Sequence, residues 1–96
     1  MEQIVWSKLA LKDLEHIYDF IALESPYYAQ KTIEQFFIRV EVLSSYPQIG
    51  KDVNDYLKNN VKELIEGNYR IFYRINKNSI SIIRVHHSAR RIKTRK

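Results

Sequence analysis

The chain is 96 residues long, with two glycines, two prolines, no cysteine and a formal net charge of +5. That size suits one domain over residues 1–96, and the missing cysteines exclude disulfide staples and thiolate metal sites. No apolar run approaches the roughly 20 residues that span a bilayer, and the N-terminus lacks a basic stretch followed by an apolar one. A soluble, cytoplasmic protein without a membrane partner is expected.

Glu2 to Trp6 reads as an opening strand, bounded by Ser7, whose hydroxyl suits a helix N-cap. Leu11, Leu14, Ile17, Tyr18 and Ile21 then recur at three- and four-residue spacing, with Lys12, Asp13, Glu15 and Asp19 elsewhere around the turn, which predicts an amphipathic helix ending near Glu24. Ser25 and Pro26 supply an N-cap and a first-turn residue for a second helix. So short a break forces an antiparallel helical hairpin. The second helix carries Ala29, Ile33, Phe36, Val40 and Leu43 on one stripe and stops before Pro47. Residues 47–60 lack periodicity and read as a loop or a single helical turn.

Beyond that loop the period changes to two. Val61 to Glu66 is a predicted strand, Gly67-Asn68 a hairpin turn, and Tyr69 to Ile75 alternates, with Tyr69, Ile71, Tyr73 and Ile75 on one side and Arg70, Phe72 and Arg74 on the other. Asn76 to Asn78 turns into a last strand, Ser79 to His86, whose Ile80, Ile82, Ile83 and Val85 suggest burial on both faces. The expected class is α+β: an N-terminal strand and an antiparallel two-helix hairpin packed on a small antiparallel sheet.

Charge is concentrated at one end. Six basic residues and no acid follow Ile83, whereas residues 1–83 hold ten basic against eleven acidic residues. A polyanion or an acidic protein segment is the natural partner of such a tail. Arg70 and Arg74 beside Phe72 offer a floor for a phosphate backbone or a base, with Arg84 joining in the right register. Ion pairing of these arginines with Glu63 or Glu66 is the competing reading. His86 and His87, adjacent on a strand, point to opposite faces and are poorly placed to share a metal. His87 is the better candidate for proton transfer, and His16 suits a surface position on the first helix. Phosphate-cradling glycine loops and nucleophile elbows are absent, and Asp52 and Asp55 read as turn residues. No cofactor, metal or small-molecule substrate is implied.

The ordered motifs D-L-x-x-I, P-x-x-G, K-E-L, N-Y-R-I-x-Y and H-x-x-R, spread over nearly the whole chain, resemble those of the RelE/ParE toxins of bacterial type II toxin–antitoxin modules. The resemblance implies a compact α+β toxin neutralised by an antitoxin, whose amphipathic helix or added strand would be acidic enough to meet the basic end. It implies one of two targets. RelE-like members cut messenger RNA on the ribosome, and ParE-like members bind DNA gyrase and trap it on cleaved DNA. For cleavage, the matching residues are Arg70, His87 and Arg90. The lysines of RelE fall at Val61 and Glu63, with Lys62 between them, and no tyrosine follows Tyr73. The pattern of helices and the ending lean toward the ParE side, where Lys62, Arg74, Arg84, Arg91 and Lys93 would contact the target or nucleic acid. A non-toxic basic nucleic-acid-binding module is the third reading.

Overall fold

A computed structural model of the protein describes residues 2–53 and 60–88. The elements run β1 (Gln3–Trp6), α1 (Lys8–Ala22), α2 (Pro26–Ser45), a 3-10 turn (Pro47–Ile49), β2 (Lys51–Asp52), β3 (Val61–Glu66), β4 (Tyr69–Ile75) and β5 (Ser79–His87). The two predicted caps are in place: Ser7 Oγ accepts from the Ala10 N–H and Ser25 Oγ from that of Tyr28, each satisfying a donor that the first turn leaves open. No helix of the described residues is long and apolar enough to cross a membrane.

The five strands form one sheet in the order β1-β5-β4-β3-β2. β3, β4 and β5 make the expected antiparallel meander, and Gly67 turns the first hairpin at φ +58°, a conformation that glycine adopts without Cβ strain. The expected all-antiparallel sheet is corrected at one edge. β1 pairs parallel to β5, with Ile4 opposite Ile80 and Trp6 opposite Ile82, so the sheet is mixed. β2 falls in the aperiodic stretch expected to be a loop, and is a two-residue edge strand on β3.

Both helices lie on one face. Their Ala10, Leu14, Phe36, Val40 and Leu43 pack on Leu64, Ile71, Tyr73, Ile80, Ile82 and Val85 of the sheet. The crowded isoleucines of β5 have a simpler origin than two-sided burial. Phe72 opposes Arg84 while Tyr73 opposes Ile82, so Ile83 is an extra residue that brings Ile82 and Val85 onto the same core face.

Candidate functional site

Alternation along β4 puts Tyr69, Ile71 and Tyr73 against the helices and Arg70, Phe72 and Arg74 on the opposite face. Arg70 does not stand open there. Its Nε and Nη2 both lie 2.7 Å from Glu63 Oε1, so the competing ion pair is formed. Glu66, the other acid on that strand, meets Arg39 of α2 instead, at 3.7 Å. Phe72 is corrected as a stacking floor, because its ring is 0% exposed. It lies 5.1 Å below the Arg70 guanidinium and 5.5 Å from the His86 ring, so it stiffens the face without offering a surface to a base.

Lys62 is drawn into the fold at the opposite end of the sheet. Its Nζ reaches Asp52 Oδ1 at 2.8 Å and the Gly50 carbonyl at 3.4 Å. Beside it, the Tyr73 hydroxyl donates to the Pro47 carbonyl at 2.7 Å and accepts from the Gly50 N–H at 2.9 Å. The P-x-x-G motif therefore docks onto the last tyrosine of N-Y-R-I-x-Y. Burial pushes the Tyr73 phenol above its ordinary value of 10.0, only partly offset by the Gly50 N–H and the nearby Lys62.

The third cluster joins the two ends of the chain. β1 runs out opposite Ile82, and beyond that point α1 lies along the edge of β5. The Ser7 N–H and hydroxyl donate to the carbonyls of Ile82 and Ile83. Asp13 then accepts three bonds: Arg84 Nε at 2.9 Å, Arg84 Nη2 at 3.0 Å and the Val85 N–H at 2.9 Å. A bidentate guanidinium–carboxylate pair reinforced by a backbone donor is a strong, directional clamp. Next to it opens a cleft of about 740 Å³. One wall is a flank of α1, where Asp13, His16, Ile17 and Phe20 follow at helical spacing. The other is the end of the β4–β5 pair, with Tyr69, Val85, His86 and His87. The Tyr69 ring meets Phe36 and His87 edge-on at 5.2 and 5.1 Å, and burial raises its phenol as well.

Of the sequence candidates, Arg84 and His87 thus share a cleft. Arg70 and His87 sit on paired strands, but His87 opposes Tyr69 and Arg70 opposes His86, so the two project from opposite faces. Arg90, Arg91 and Lys93 lie outside the described residues. Asp13 was missed as a site residue. It stands in the D-L-x-x-I motif, but its partner is 71 residues away, and no local pattern announces so distant a contact. Among the described residues no group of three His, Asp or Glu side chains is placed to hold a metal ion.

Two helices on one face of a five-stranded mixed sheet match the α+β architecture of RelE/ParE toxin structures. The chain is similar in fold to a chain of the chromosomal ParDE toxin–antitoxin system from P. aeruginosa, with a TM-score of 0.75, 23% identity and coverage of 91% of this chain and 96% of that one. The toxin–antitoxin complex RelBE2 from Mycobacterium tuberculosis gives a TM-score of 0.63 and 25% identity, over 90% of this chain and 96% of that one. In sequence, the chain is 32% identical over 90 residues to Toxin RelE2 of Caulobacter vibrioides, covering 94% of this chain and 99% of the relative. Residues 4–92 match the profile of the ParE toxin of type II toxin–antitoxin systems, parDE. The chain belongs to this family, and it is a type II toxin.

Proposed function

We propose that this toxin acts by binding, as a ParE-like inhibitor of DNA gyrase, and that a cognate antitoxin neutralises it. The observation that carries the reading is how the candidate cations are held. Arg70, Lys62 and Arg84 are engaged by Glu63, Asp52 and Asp13 respectively. Cleavage of RNA needs a base and a charge-stabilising donor within about 3 Å of the reacting atoms. Arg70 and His87, on opposite faces, do not converge on such a point. Cations held in ion pairs are better suited to recognising a target than to proton transfer. The antitoxin partner is supported by the solved relatives, which are a ParDE system and a RelBE2 complex.

The test is a supercoiling assay with purified gyrase and saturating toxin. Accumulation of cleaved DNA is the expected outcome, and normal supercoiling overturns the reading. Ribosome-dependent cleavage is the second reading, favoured by the histidine-lined cleft and by the similarity to a relative named Toxin RelE2. Inducing the toxin without antitoxin separates the two. Early collapse of thymidine incorporation supports gyrase, whereas early collapse of methionine incorporation supports the ribosome, and cutting should then be lost in Arg70→Ala.

A further inference from the structure

We infer that the outer edge of β1 pairs with the same edge of a second copy of this chain, antiparallel about a two-fold axis at Val5, which joins the two sheets into one. The pairing is independent of which target the toxin poisons.

β1 is the last strand of its sheet, with β5 on one side only. The Ser7 N–H donates to the Ile82 carbonyl, so by alternation Gln3, Val5 and Ser7 turn their backbone groups toward β5, and Glu2, Ile4 and Trp6 turn theirs outward. Ser44 of α2 meets both outward groups of Glu2. Its carbonyl accepts from the Glu2 N–H at 3.1 Å, and its hydroxyl donates to the Glu2 carbonyl at 2.9 Å. Those of Ile4 and Trp6 meet no other element among the described residues, and stand on the rim as a short unfilled ladder. Edge strands that stay single commonly carry a lysine, a proline or a bulge, and Gln3–Trp6 carries none of these.

The spacing of the open groups selects the partner. An antiparallel copy with Ile4 opposite Trp6 and Trp6 opposite Ile4 lets each pair exchange an N–H and a carbonyl both ways, so neither open residue is left over. A shift of two residues in one direction sets Trp6 against Glu2, whose groups are already bonded. In the other direction it sets Ile4 against Lys8, inside α1. The matched register also brings the acid Glu2 toward the exposed Lys8 of the partner at both ends of the seam, whereas a parallel copy in register would set acid beside acid. Apolar surface flanks the seam on both sides. Ile4 and Trp6 pack on the core, so Val5, 44% exposed, lies on the open face of the sheet. On the helix face Phe37, 42% exposed, meets Trp6 with ring centroids 4.9 Å apart.

Sedimentation equilibrium of the purified full-length chain over a range of concentrations tests the pairing. A rise from monomer to dimer mass is expected, with slowed amide exchange at Ile4 and Trp6 as the dimer fills. Val5→Lys sets two cations directly opposite each other and should weaken the dimer about tenfold. Val5→Glu should do the same, and an equal mixture of the two variants should recover the wild-type affinity as a mixed dimer. Far-UV circular dichroism of each dilute variant checks the fold, and recovery on mixing separates a contact at the axis from misfolding. Monomer mass at the highest soluble concentration would overturn the inference. So would a dimer that neither variant weakens, one that mixing does not recover, or a mass that climbs past the dimer. Slowed exchange at Ile4 and Trp6 only in the complex with a co-expressed antitoxin would give the edge to that antitoxin and overturn it as well.

Discussion

Tyr69 and Tyr73 stand four residues apart on one strand and one face, yet they do opposite work. Tyr73 is 0% exposed, and its hydroxyl joins Pro47 to Gly50, closing one end of the sheet. Tyr69 touches Phe36 and His87 through its ring and leaves its end of the sheet open as a cleft. The difference lies in what the chain brings to each hydroxyl. A turn with two unpaired backbone groups arrives at Tyr73, and a histidine-bearing strand end arrives at Tyr69. The lesson is that a tyrosine builds the fold when its polar tip completes someone else's hydrogen bonds, and builds a site when its ring is the useful part.

Substitutions sharpen that contrast. The largest effect is expected at Gly50, whose φ of −74° suits any residue but whose added Cβ would collide with the Tyr73 hydroxyl and lie 2.7 Å from the Glu63 carbonyl. Gly50→Ala should cost about 3 kcal/mol, at the upper end of overpacking penalties, as read by urea denaturation. Next comes Tyr73→Phe, which strands the Pro47 carbonyl and the Gly50 N–H and should cost about 2 kcal/mol in the same measurement. Tyr69→Phe removes a hydroxyl with no hydrogen bond to the described residues and should change stability by less than about 0.5 kcal/mol. A loss at Tyr69 equal to that at Tyr73 would erase the distinction.

The smallest effect appears only in alkali. Both phenols are raised by burial, so the folded state keeps protons that the unfolded state gives up above pH 10. Their contribution is complete below pH 10 and is lost as pH rises through the folded values. Denaturation midpoints should therefore be flat toward pH 10 and fall beyond it, and the fall should be shallower in Tyr73→Phe.

Local signals made most of the fold legible. Ser7, Ser25-Pro26, Gly67-Asn68 and the alternation of residues 69–75 each mark a boundary through nearby chemistry, and the elements begin or end at them. The parallel pairing of β1 with β5 was hidden because its partners are 76 residues apart, and β2 because two residues carry no period. The extra residue at Ile83 mimicked two-faced burial, since a bulge and a buried strand leave the same run of isoleucines. For the site, Arg84 and His87 were found from charge and position. Their setting was not, because it depends on Asp13, and an acid bordering an apolar helix stripe looks like any solvated residue. Arg70 shows the reverse. Its ion pair with Glu63 was among the sequence-level alternatives, since the two strands meet across a tight hairpin.

The relay along β5 also bears on where another β-segment could join the sheet. Past Ile82 that strand would be a bare edge, with donors and acceptors presented for any passing β-segment. Ser7 and Asp13 use up those groups with side chains from a helix, which can cap an edge but cannot extend it. At the opposite border, β2 is only two residues long, too short to template much pairing. Among the described residues the four-residue β1 is then the longer free border of the sheet, and a strand joining at Val85 would first have to pull Asp13 away from both Arg84 and Val85.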